Sequence, residues 1–405
     1  MNRLPLAGLR VTDFCWIGAG SYATKILGDM GAEVIKIESS KALDQLRTGG
    51  PYKDKKPGVN RSGYFADRNT SKRSITIDMK HPRALEIVKK LIAKTDIVAN
   101  NFTPGVMERF GLGYAAVCAL KPDIIYLSMA MNGQQGPETN YLGYGASIAA
   151  LTGLTYLTGL PDRAPVGTGT NYPDHIPNPT HAAFAVLAAL RHRRRTGRGQ
   201  QIDLAQVEPM TALLGPTLLD YTVNGHNQNR VGNQHVWAAP HGVYPCAGDD
   251  RWIAIAVMND MQWANLAEVL GTPAWASEAR WTTSTARHDS RVALDALISA
   301  ETVKWQAEAL MHVLQGKGVC AGVVQNAEDV ITRDPQLAHR QHWIKLKHAE
   351  MGETIYNGPP FRFSRTAVGL RSPAPLLGGH TREICAELGL SDAQIDELIA
   401  QQVLT

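Results

Sequence analysis

The sequence predicts an α/β protein with a mainly parallel sheet covered by helices. Three observations carry this. Short apolar runs alternate with helix-length segments from the N-terminus onward, the pattern of βαβ units. The first run opens onto Gly18-Ala19-Gly20, which with Ala23 makes the G-x-G-x-x-A turn that joins strand to helix in such units. Segment Pro82–Lys94 places Ala84, Ile87, Val88 and Leu91 at helical spacing on one face.

In chain order, strands are expected at Leu9–Phe14, Val34–Ile37, Ser74–Asp78, Ile97–Asn100 and Ile124–Met129, with helices between them. The stretch from Leu46 to Arg68 is polar, rich in Gly, Lys and Tyr, and has no period; it reads equally as a functional or a surface loop. A long helix over Thr180–Arg195 ends in Arg191-His192-Arg193-Arg194-Arg195 ahead of Gly197. Cations in a last turn followed by glycine suit a helix C-terminus better than an anion site. A further helix is expected near Asp203–Tyr221, then a Gly-, Asn- and His-rich linker. Beyond it come a strand at Trp252–Val257 and helices near Asp260–Leu270 and Val303–Gly316, a smaller second domain. A terminal helix begins at Ser391-Asp392.

The totals set bounds. At 405 residues, with ~100–200 per domain, two domains are expected. Hydrophobic residues make up 44% and charged residues 19%, enough apolar material for sizeable cores, and no apolar run approaches the ~18 residues of a membrane span. Residues Met1–Leu6 show no signal-peptide core, so a cytoplasmic protein is expected, with no membrane partner. A net charge of +4 gives no reason to expect nucleic acid. Five scattered cysteines without C-x-x-C or His/Cys spacing argue against disulfides and against a metal site.

Taken alone, the opening stretch keeps a nicotinamide oxidoreductase open, because Glu38, 18 residues after Gly20, stands near where a ribose-binding acid would sit. Five ordered segments change the balance: "NTSKRSITIDMKHPRA" from Asn69, "NNFTPGVMERFGLGY" from Asn100, "RRTGRGQQIDLAQVE" from Arg194, "APHGVYPC" from Ala239, and "PAPLLGGHTREI" near the C-terminus. Together they resemble the class III CoA-transferases, a family that includes formyl-CoA and carnitine CoA-transferases and the α-methylacyl-CoA racemases. The resemblance spans essentially the whole chain and, more loosely, extends to subunits of the benzylsuccinate type.

That resemblance implies a Rossmann-like large CoA-binding domain that uses the βαβ geometry without binding NAD, a smaller inserted α/β domain, and an interlocked dimer. The large domain would comprise residues 1–221 and, after a linker, the rest of 326–405; residues 222–241 would form a linker and 242–325 the small domain. By similarity, Ile17, Ile77, Lys80, Asn101, Phe102, Arg109 and Tyr144 would bind CoA. Lys80 and Arg109 offer charge to phosphates, and Phe102 a face for adenine. Ser39 stands where some members carry an arginine.

The implied reaction moves CoA from an acyl-CoA such as succinyl-CoA to a free carboxylic acid through a carboxylate nucleophile, with the CoA thioester as substrate and no separate cofactor. The family's aspartate lies between a "GY" motif and the helix ending in "RTGRGQ". Counting forward from Tyr144 lands on Asp174; counting back from Thr196 lands on His175. One inserted residue among Pro177-Asn178-Pro179 reconciles the two counts. Asp174 is also the only carboxylate between Asp162 and Asp203, and imidazole cannot form the required anhydride. Two departures stand out: Gly145 follows the tyrosine where many members have Glu or Asp, and Gly18 occupies the position where some carry glutamine. Gly232, Asn233 and His235 of "RVGNQHVW" would form a lid. Three other functions stay open: a non-catalytic subunit in a homodimer or heterodimer with a homologous chain, an acyl-CoA racemase, and the dehydrogenase.

Overall fold

Buried parallel strands favour apolar side chains on both faces, and the runs around Val34-Ile35, Ile97-Val98-Ala99 and Ile125-Tyr126-Leu127 supply them, while Thr12, Asp13, Lys36, Lys72 and Ser74 are buried polar residues of the first three strands. The computed structural model describes residues 4–405. Six parallel strands, β1 (Arg10–Asp13), β2 (Glu33–Glu38), β3 (Lys72–Thr76), β4 (Ile97–Asn100), β5 (Ile125–Ser128) and β6 (Gln200–Asp203), form one sheet in the order β3-β2-β1-β4-β5-β6. The order reverses at β1 and β4, which pair in register Val11↔Ile97. In a doubly wound sheet, ligands bind beyond the carboxyl ends of the strands at this switch point.

Alternation along the strands divides the core in two. Ile35, Val98 and Tyr126 point to one face, where Ile87, Val88 and Leu91 of the Ala84–Ala93 helix meet Ile384, Ile395 and Leu398 of the C-terminal helices. Val34, Ile97, Ala99 and Leu127 point to the other, against the Ile17–Asp29 and Pro177–Thr196 helices. Gly197, at φ +72°, ends the latter helix with a bond from its N–H to Arg193 O, as the sequence led us to expect. The last helix begins with a capping box between Ser391 and Gln394.

Two expectations are corrected. The segment from Asp203 is not one helix: Gln200–Asp203 is the edge strand β6, and helices follow at Val207–Leu213 and Gly215–Asn224. The strand escaped notice because an edge position tolerates the polar run Gln-Gln-Ile-Asp, and Gly215-Pro216 starts a new helix. The helix expected from Val303 starts at Ala307, since an earlier helix, Arg291–Thr302, ends just before it.

The chain divides into two units. The first comprises residues 1–155, 167–228 and 336–405; the second comprises 156–166 and 229–335. The second unit is a three-stranded antiparallel sheet, with β7 (His241–Pro245), β8 (Trp252–Ala256) and β9 (Cys320–Val323) in sequence order, packed on helices through Trp263, Trp281, Leu294 and Leu310. Among the described residues no helix is long and apolar enough to cross a membrane.

Candidate active site

Asp174 sits in a single helical turn, Tyr172–His175, started by Pro173 and followed by the long helix from Pro177. It is 2% exposed. Gly145 N–H donates to Asp174 Oδ2 at 3.1 Å. Burial raises its carboxyl to about 6, against the smaller opposing effects of the Gly145 N–H and the Arg68 charge. The group is therefore a poorly hydrated carboxylate that is still largely ionised at neutral pH.

Two glycines make this placement fit. A Cβ on Gly18 would lie 2.8 Å from Asp174 Cβ, and one on Gly145 would lie 2.9 Å from Asp174 Oδ2 and 2.7 Å from Asn171 Cβ. Both departures noted in the sequence thus fall against the same carboxylate. Gly20 is equally tight, with Cys15 Sγ at 2.7 Å from its virtual Cβ, and Ala23 is buried in the core. The G-x-G-x-x-A glycines bring the Ile17–Asp29 helix close to protein atoms. Glu38 is engaged elsewhere: Arg47 reaches both its oxygens at 2.7 Å and Ser74 Oγ donates to it at 2.6 Å, which leaves no free carboxylate for a ribose.

Asp174 opens on a cleft of about 100 Å³ that Ile17, Asn101 and Tyr144 also line, with Thr103, Met131 and Gln206. Beside it an apolar pocket of about 350 Å³ is lined by Ile77 and Phe102 with Trp16, Ile37 and Phe110, and Lys80 and Lys41 stand at its rim. Neighbouring residues serve both: Trp16 and Phe102 face the pocket, and Ile17 and Asn101 face the cleft. Both cavities lie beyond the ends of β1 and β4. Trp16 and Phe102 meet edge to face at 5.8 Å. Arg109 is exposed and lines neither cavity. Of the residues expected to form a lid, Gly232 and Asn233 line a cavity of the second unit with β7, β8 and β9. His235 packs on Trp237, and its Nδ1 accepts from Ala238 N–H at 3.3 Å.

Sequence reasoning left out Tyr64 and Arg68, from the aperiodic insert. Arg68 Nη2 donates to His175 Nδ1 at 3.1 Å, so Nε2 carries the proton and faces Tyr64 Oη at 3.3 Å. Burial, helped by the Arg68 charge, lowers the imidazole to about 4, and His175 is neutral at physiological pH. It turns away from the Asp174 cleft and lines a separate cavity with Tyr64, Ala146 and Ala149. The signal that could have found these residues was the insert itself, where Ser62 caps a short helix, Gly63–Arg68. Among the described residues no cluster of three His, Cys, Asp or Glu side chains is arranged to hold a metal.

A sequence profile described as CoA-transferase family III matches residues 6–381. The chain belongs to that family. It is a CoA-transferase by this match and by its relatives. The family III chain is 34% identical over 401 residues to the succinyl-CoA–D-citramalate CoA-transferase of Chloroflexus aurantiacus, covering 99% of this chain and 98% of that one. It is 34% identical over 388 residues to the succinate–glutarate CoA-transferase of Agrobacterium fabrum, covering 95% and 96%. A crystal structure of a CaiB/BaiF family protein from Brucella suis matches with a TM-score of 0.87 at 34% identity, over 96% of this chain and 100% of that one.

Proposed function

We propose that this CoA-transferase moves CoA from succinyl-CoA to a free carboxylic acid through covalent intermediates on Asp174. One observation carries the reading: a buried, desolvated carboxylate opens on a cleft that adjoins an apolar, lysine-rimmed pocket. The pocket suits an adenine on Phe102 with phosphates near Lys80, and the cleft suits the thioester end of the pantetheine arm.

Chemically, Asp174 Oδ1 attacks the thioester carbonyl while Gly145 N–H holds Oδ2. The C–S bond breaks, CoA thiolate leaves, and a mixed anhydride forms. The thiolate then attacks the aspartyl carbonyl, releasing the donor as a carboxylate and leaving an aspartyl-CoA thioester. The charge that develops on Oδ2 in this step falls where Gly145 N–H already donates, the geometry of an oxyanion donor. The acceptor carboxylate repeats the sequence in reverse and leaves as its CoA thioester, regenerating Asp174. Each step exchanges one acyl bond for another, so the reading requires no electron carrier or other cofactor. It includes a paired assembly, with a second copy or a homologous subunit. A racemase would need an acid and a base flanking Cα, and Tyr144-Gly145 supply neither at the "GY" position.

The test is hydroxylamine trapping during incubation with succinyl-CoA. The expected result is inactivation with a hydroxamate at Asp174, and no transfer by a folded Asp174→Ala chain. Full transfer by that variant overturns the reading; modification of a partner chain alone assigns this chain a non-catalytic role.

A further inference from the structure

We propose that Asp44, paired with Lys36, is a positioning residue for Asp174 that acts through the backbone of Ile17. The proposal rests on the catalytic reading above. Ile17 has φ +57°, a left-handed conformation that β-branched residues rarely adopt. Left to itself, the segment would relax toward an ordinary backbone. Side chains oppose this at three successive residues. Lys36 Nζ donates to Cys15 O at 2.5 Å. Asn101 holds both sides of Trp16, accepting from its N–H at 2.8 Å and donating to its carbonyl at 2.7 Å. Asp44 Oδ1 accepts from Ile17 N–H at 3.1 Å and from Leu46 N–H at 3.0 Å.

The next residue is Gly18, which lies against Asp174. A contiguous path of contacts therefore runs from the ion pair through Ile17 and Gly18 to the reacting carboxylate. Asp44 Oδ2 lies 3.0 Å from Lys36 Nζ, and both side chains are fully buried. Burial works against the Lys36 charge, but the carboxylates of Asp44, Asp13 and Glu38 outweigh it and hold the ammonium protonated. A buried ion pair is a weak source of stability compared with apolar packing of the same volume. Its specific contribution here is a fixed acceptor at the one N–H whose residue is strained. Strained backbone persists only where its surroundings over-determine it, and three side chains do so here.

The experiment is a double-mutant cycle on the full chain: wild type, Asp44→Ala, Ile17→Gly and the double variant, each measured for kcat, KM for succinyl-CoA, thermal midpoint and Asp174 hydroxamate formation. Glycine adopts positive φ without the steric cost, so it removes the strain that Asp44 holds in place. That cost corresponds to roughly a tenfold population shift. The expected result is a loss of about tenfold or more in kcat for Asp44→Ala when Ile17 is present, shrinking to about threefold or less in the Ile17→Gly background. Asp44→Asn, whose amide oxygen still accepts from Ile17, recovers most of kcat. Should Asp44→Ala not fold because Lys36 is left unpaired, the paired replacement Asp44→Leu with Lys36→Met, which removes the acceptor and leaves no buried charge, reads the same coupling in the two backgrounds. An equal loss in both backgrounds, or wild-type kcat in a folded Asp44→Ala chain, overturns the proposal. A wild-type chain that forms no Asp174 hydroxamate instead fails the catalytic reading on which it rests.

Discussion

Replacing Asp174 by Asn tests the burial of the proposed nucleophile independently of its chemistry. The carboxyl is raised from an ordinary 3.8 to about 6, mainly by desolvation. A carboxyl raised in the folded state favours folding most when it is protonated. Its relative benefit is intact below about pH 3.8 and is lost as the pH rises through about 6. Above that, keeping the anion buried costs on the order of 3 kcal/mol. Asn keeps an oxygen for the Gly145 N–H and cannot ionise. Asp174→Asn is therefore expected to unfold at nearly the same temperature as wild type near pH 4 and about 3 °C higher at pH 8, at roughly 1 °C per kcal/mol for a chain of 405 residues. Thermal melts of both proteins at equal concentration across pH 4–8 measure the difference directly, since other titrating groups cancel. A constant offset between the two curves, or a wild type that gains on the variant as pH rises, would refute the idea of a desolvated carboxylate at this position.

The other predictions concern the walls of the site. Gly145→Ala puts a methyl 2.9 Å from Asp174 Oδ2, so the carboxylate must move; kcat should fall on the order of 100-fold with KM for acyl-CoA changed little, read by steady-state kinetics. Arg68→Met removes a cation that lowers both neighbouring groups. The acid limb of kcat against pH, which falls below about 6, should move upward, and the His175 imidazole should titrate above its present value of about 4 by NMR. Phe102→Ala removes the face proposed to stack on adenine and should raise KM for succinyl-CoA roughly tenfold with kcat nearly unchanged.

How much of this was legible in the sequence depends on how local each signal is. Strands β1, β2, β4 and β5 were located to within a residue because buried parallel strands carry apolar side chains on both faces, and Val34-Ile35 or Val98-Ala99 read as such without context. The edge strand β6 was not, since its alternate residues face solvent and only its ladder to β5 defines it. Asp174 emerged from counting along one contiguous segment, whereas the contact of His175 with Arg68 spans 107 residues, beyond any periodicity. Gly18 and Gly145 were visible as missing polar groups; that both press on one carboxylate is a fact of packing between the Ile17–Asp29 helix, the start of the Gly145–Leu151 helix and the Tyr172–His175 turn.

The same packing explains why a glycine pattern associated with dinucleotides serves a different end. In a nucleotide-binding turn, missing Cβ atoms let the backbone approach a pyrophosphate. Here the corresponding spaces are already filled, at Gly18 by Asp174 and at Gly20 by Cys15 and Asn101. The acid at the end of β2 is closed off as well, since Glu38 has exchanged a ribose for Arg47 and Ser74. What the βαβ geometry retains is the switch point itself, a crevice beyond β1 and β4 where no strand continues. Into that crevice the chain brings a carboxylate from the Tyr172–His175 turn, far along the sequence from β1, and the glycines decide how closely it can approach. The closeness has a chemical consequence. A side chain at either position would push Asp174 toward solvent, where its carboxyl would return toward the ordinary range and its oxygens would be hydrated. Burial against bare backbone keeps the anion poorly solvated, with one oxygen fixed by Gly145 N–H and the other left for the attack proposed above.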